Sequence, residues 1–76
     1  MLDKLRNAFV KAFGIESAKF SPDWTPDDVS GWDSLGHLRL VTAIEEQFGI
    51  QLEVDDIMEM DRVNKIIEIL KKYGIS

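Results

Sequence analysis

The chain has 76 residues, with nine Lys and Arg against fourteen Asp and Glu, and a formal net charge of −5. With no cysteine and a single histidine, His37, it can form no disulfide, offers no thiolate and cannot assemble the Cys/His ligand sets of structural zinc. No stretch approaches the roughly 18 apolar residues of a membrane span, and Met1-Leu2-Asp3-Lys4 does not open a basic-then-apolar leader. The expectation is one cytoplasmic domain over residues 1–76, too small to bury a catalytic cleft between two lobes.

In chain order, apolar residues at Leu2, Leu5, Phe9 and Phe13, flanked by Ala8 and Ala12, predict an amphipathic helix that stops at Gly14-Ile15. Ser17 to Trp32 holds Pro22, Pro26 and Gly31, so it reads as a long loop. Its Phe20, Trp24, Val29 and Trp32 predict that it packs on the helices, with the two tryptophans clamping it against the first helix. Asp33 or Ser34 can cap a second helix. Along it Leu38, Val41, Ile44 and Phe48 form the apolar stripe, and Gly49-Ile50 ends it. A short helical turn is expected at Asp55–Met60, with acids at its positive end. A last helix starts behind Asp61, runs through Val63, Ile66, Ile67 and Leu70 to Tyr73, and stops at Gly74-Ile75. All three long helices thus end in Gly-Ile, where the glycine takes a left-handed position and the isoleucine folds back. The fold class is all-α: a small antiparallel bundle of three main helices plus a short one.

Charge is unevenly placed. Residues 1–20 carry a net +2 and residues 62–76 a net +3, whereas residues 21–61 hold eleven acids against Arg39 alone. An acidic middle repels a phosphate backbone, so nucleic acid is excluded as the main partner. The same field draws in a basic protein surface.

Few residues could carry chemistry of their own. Asp33, Ser34 and His37 contain the types of a nucleophile triad, but Asp33 adjoins the serine at a helix start and cannot reach around to orient an imidazole one turn away. No Gly-x-Ser-x-Gly elbow surrounds the serine. His37 is expected to be an exposed residue of the first turn. A twelve-residue calcium loop counted from Asp23 would put Asp28 where a glycine belongs and Ser34 where a glutamate belongs. No metal site and no catalytic residue are expected.

What remains is a serine at an exposed helix start, behind a long loop, in an acidic chain. Gly31-Trp32-Asp33-Ser34-Leu35-Gly36-His37-Leu38 resembles the phosphopantetheine attachment site of acyl and peptidyl carrier proteins, with their Asp-Ser-Leu hallmark. The likeness extends over nearly the whole chain, through Ala43-Ile44-Glu45-Glu46-Gln47-Phe48, Asp55-Asp56-Ile57 and Val63-Asn64-Lys65-Ile66. It implies a freestanding acyl carrier protein, not an enzyme, that holds acyl intermediates as thioesters on a 4'-phosphopantetheine arm attached to Ser34. A phosphopantetheinyl transferase would install the arm, with Asp33 helping to place that enzyme's metal ion. The implied setting is fatty acid or specialised lipid or polyketide-type biosynthesis.

Leu35 and Thr42 match positions that face partner enzymes, and Glu45, Glu46, Asp55, Asp56 and Glu59 match acidic contacts. The implied partners are the transferase, an acyl- or aminoacyl-loading ligase and downstream synthase or transferase enzymes, met transiently by a monomer without membrane insertion. Gly36, His37 and Arg39 depart from the usual fatty-acid carriers and point to a dedicated pathway. Leu40, Ile44, Phe48, Leu52, Ile57, Met60, Val63 and Ile66 correspond to the border of the acyl cavity. Ile57 and Ile66 are bulkier than the alanines common there, which favours a short or polar cargo. Gly36 and Asn64-Lys65-Ile66 also resemble D-alanyl carriers, so a D-alanyl or other aminoacyl cargo loaded by an adenylating ligase is the alternative.

Overall fold

The computed structural model describes residues 1–76 and contains four α-helices and no strand. They are α1 (Leu2–Phe13), α2 (Ser34–Phe48), α3 (Val54–Glu59) and α4 (Val63–Lys72). The three expected helices and the short fourth are all present. α1 and α2 stop where the sequence predicts, with Gly14 at φ 68° and Gly49 at φ 65° in the left-handed region that a Cβ disfavours.

All four helices meet one apolar core. Leu5, Ala8 and Phe9 come from α1, Leu40, Val41, Ala43 and Ile44 from α2, and Val63, Ile66, Ile69 and Leu70 from α4. Ile57 of α3 packs against this core without being fully buried. The inner stripe of α2 differs from the expected one: Leu38 is 58% exposed and Leu40 is fully buried. Consecutive helical residues are 100° apart. Leu40, Val41, Ala43 and Ile44 turn into the core, which leaves Leu38, two positions before Leu40, outside.

The loop between α1 and α2 is packed, as its aromatic content predicts. Val29 and Trp32 are buried in it, and it makes two single-turn 3-10 helices, Ser17–Lys19 and Pro26–Asp28. Phe9 is the hub: its ring centroid lies 5.3 Å from those of Phe20 and Trp32 and 6.4 Å from that of Trp24. Both tryptophans therefore seat the loop on α1. The Trp24 carbonyl also accepts the first N–H of α4, from Val63, at 2.9 Å. That bond satisfies one of the donors a helix start leaves free.

Candidate functional site

Ser34 is the first residue of α2 and is exposed. Asp33 is the N-cap: its Oδ1 accepts from the Gly36 N–H at 2.8 Å, and its carbonyl accepts from the His37 N–H at 2.7 Å. The N–H groups of Ser34 and Leu35 donate to no group of the chain, nor does the Ser34 hydroxyl bond to one. The serine therefore stands at a helix N-terminus with two free N–H donors and the positive end of the dipole beside it, a setting that favours an anion.

A groove of about 420 Å³ opens at this serine, lined by Trp32, Asp33, Ser34 and His37 from the loop end and α2, and by Ile57, Met58 and Met60 from α3 and its end. Pro26 and Asp61 complete it. A covalent phosphate with a slender arm fits this arrangement: an exposed hydroxyl, unpaired N–H groups and an adjoining open groove.

His37 corrects the sequence expectation. It is half-buried, with its Nδ1 accepting from the Trp32 indole N–H at 2.9 Å and its Nε2 bonded to the Ile57 carbonyl at 2.8 Å. Neither ring nitrogen is left for Ser34. His37 lies three residues before Leu40 and seven before Ile44, on the stripe that faces inward, but the groups that hold it come from the preceding loop and from α3.

Asp56 also differs from its expected role as an outward acidic contact. It is 4% exposed, and its carboxylate accepts from the Lys72 ammonium and, at 2.7 Å, from the Tyr73 hydroxyl. Tyr73 Oη in turn accepts from the Glu53 N–H at 2.7 Å. The hydrogen bonds from Lys72 and Tyr73 hold the Asp56 carboxyl below its usual value, and the same bond raises Lys72. Burial is the main cause of a raised Tyr73.

The other sequence-selected acids divide. Glu45 accepts from the Leu52 N–H at 2.8 Å, and Glu46 pairs with Lys11 at 3.0 Å. Asp55 and Glu59 are exposed and make no side-chain hydrogen bond or ion pair. Leu35 is 66% exposed and Thr42 is exposed, its hydroxyl bonded to the Leu38 carbonyl.

Of the eight residues matched to a cavity border, Leu40, Ile44, Leu52, Val63 and Ile66 are closed in the core and line no hollow. Ile57 and Met60 line the groove at Ser34, and Phe48 lines a separate hollow beside Met1 and Ile75.

The family model described as "Phosphopantetheine attachment site" matches residues 3–70. The chain belongs to the acyl carrier protein family. The carrier is 30% identical over 70 residues to the acyl carrier protein of Solidesulfovibrio magneticus, an alignment covering 92% of this chain and 90% of that protein. Its prosthetic group is 4'-phosphopantetheine, covalently attached. No helix of the carrier is long and apolar enough to cross a membrane.

Proposed function

We propose that Ser34 is the attachment point of the 4'-phosphopantetheine, and that residues 1–76 act as a freestanding, single-domain carrier of acyl groups, cytoplasmic and monomeric. The observation that supports this most is the setting of Ser34: an unbonded, exposed hydroxyl at the capped start of α2, beside the groove. When bound, the group supplies a terminal thiol that holds cargo as a thioester, which this cysteine-free chain cannot do itself.

The chain's own residues have defined tasks in this reading. The Ser34 oxygen bonds to phosphorus as the pyrophosphate linkage of coenzyme A breaks. The nucleotide portion leaves, and the hydroxyl proton passes to a base of the transferase. The free N–H groups of Ser34 and Leu35 would hold the phosphodiester. Asp33 caps α2 through Oδ1 and leaves Oδ2 for the transferase's metal ion. Leu35 and Thr42 form the apolar and polar face met by the transferase, the loading ligase and later synthases, with Asp55 and Glu59 as outward charges.

The setting we favour is fatty acid or specialised lipid or polyketide-type biosynthesis, with a short cargo. Ile66 is fully buried, and most of the matched cavity border is closed packing, which supports a tail that needs little internal room. Gly36 has a packing reason of its own, because a Cβ there would lie 1.8 Å from the Gly31 carbonyl oxygen. Gly36 together with Asn64-Lys65-Ile66 supports a D-alanyl or other aminoacyl cargo as the alternative.

Intact-protein mass spectrometry after incubation with coenzyme A and a broad-specificity phosphopantetheinyl transferase tests the attachment. The native chain should gain one phosphopantetheine and Ser34→Ala none. A folded native chain that gains nothing, beside a control carrier that does, overturns the reading. Loading of the modified chain by an acyl ligase but not by a D-alanine-adenylating ligase decides the cargo class.

A further inference from the structure

His37 joins the loop that precedes Ser34 to the helix that faces it. The Trp32 indole N–H donates to Nδ1, so Nδ1 carries no proton. The ring proton of the neutral imidazole is then on Nε2, which donates to the Ile57 carbonyl. Both nitrogens are satisfied in a single tautomer, and the Trp32 and His37 rings lie nearly parallel, 11° apart.

The two partners both line the groove at Ser34, Trp32 from the loop before α2 and Ile57 from α3. Trp32 is 7% exposed, wedged against Phe9 and Phe13, and the chain runs from it directly into Asp33 and Ser34. Ile57 is in the middle of α3, whose six residues are too few to hold a helix by themselves. Asp56 ties α3 to α4, and the His37 bond ties it to α2.

We propose that His37 is a positioning residue for the modification of Ser34. It holds the Trp32 approach and the Ile57 wall in fixed relation, so that the serine oxygen is presented to the incoming phosphorus at one geometry. This rests on the reading of Ser34 as the attachment point. The neutral ring does no proton transfer: its two nitrogens are spent on Trp32 and Ile57.

The test compares initial rates of modification by coenzyme A and a broad-specificity transferase over a range of carrier concentrations. The chains are native, Ser34→Ala, His37→Leu, His37→Gln and Trp32→Phe. Leucine fills similar space without polar atoms. Glutamine presents a carbonyl to accept from Trp32 and an amide to donate to Ile57. His37→Leu should lower kcat roughly tenfold with KM little changed, because two hydrogen bonds that set the serine's placement are lost. His37→Gln should recover most of that loss, and Trp32→Phe should lower kcat in the same direction.

A merely structural role gives a different signature. Partial unfolding lowers the concentration of competent carrier, so it raises apparent KM in step with the unfolded fraction seen by circular dichroism and leaves kcat alone. That pattern, or native kcat in both His37→Leu and Trp32→Phe, overturns the proposal. If His37→Leu does not fold, Trp32→Phe and His37→Gln carry the comparison, and failure of all three to fold also overturns it. A native chain that is not modified refutes the attachment reading instead. Native modification with unaffected variants refutes the His37 proposal alone.

Discussion

Gly36 shows how one residue near the serine is chosen by packing. It is buried in the first turn of α2, where the Gly31 backbone and the Phe13 ring press against it. A Cβ would sit 1.8 Å from the Gly31 carbonyl oxygen, and backbone cannot swing aside as a flexible side chain can. Alanine favours helix by about 1 kcal/mol over glycine, but the overlap outweighs this. Gly36→Ala should therefore destabilise the fold by about 2 kcal/mol or more, measured by urea denaturation. Stability equal to native would refute the contact. Asp33 makes the other local contribution, through its bond to the Gly36 N–H. Asp33→Ala should cost about 1 kcal/mol in the same assay, in addition to any loss of modification.

Among the elements, α3 depends most on its neighbours. Asp56 pins it to α4 through Lys72 and Tyr73, residues at the far end of the chain. The folded Asp56 carboxyl lies below its ordinary 3.8, so its contribution is complete above that value and is lost as pH falls through the lower folded one. Lys72 is raised above 10.5, so its share is complete below that value and is lost as pH rises through the higher folded one. The stability difference between native and Asp56→Asn should thus be flat between about pH 5 and 9 and should shrink towards acid and alkaline extremes. Thermal melts of the two chains across that range check this. A constant difference down to the acid limit would show that the charge of Asp56 contributes nothing. Exposed pairs such as Lys11–Glu46 should leave little mark on the same profile, being well screened.

For the whole molecule, two properties act at a distance: charge and core volume. Residues 21–61, which include Ser34, hold eleven acids against Arg39 alone. kcat/KM for modification by a transferase with a basic docking face should fall as sodium chloride rises from about 0.05 to 0.5 M, because the Debye length shrinks severalfold. A salt-independent kcat/KM would remove steering from the account. Core volume bears on cargo. Ile66 is fully buried on α4, and Ile66→Ala should destabilise by about 2–4 kcal/mol through lost burial and the hollow left behind. The same variant should tolerate longer acyl chains, read as a smaller loss of melting temperature on loading than the native chain shows. An equal loss in both would mean that Ile66 does not limit the cargo.

The helices, their stops and the serine at the start of α2 were legible because each depends on residues within a turn or two: apolar spacing, an Asp cap, a left-handed glycine. Four decisions were not legible in that way. Leu40 rather than Leu38 faces inward because the other helices pack on that side of α2, and two helical positions turn a side chain by about 200°. His37 is held because Trp32 and Ile57 reach it from two other segments. Asp56 is buried because Lys72, sixteen residues on, neutralises it there. Gly36 is required because the Gly31 turn folds back onto it. Local sequence determined that a serine would be offered at a helix end. Contacts between residues distant along the chain decided the groove it faces and the groups that hold it there, since such contacts exist only once the segments have packed.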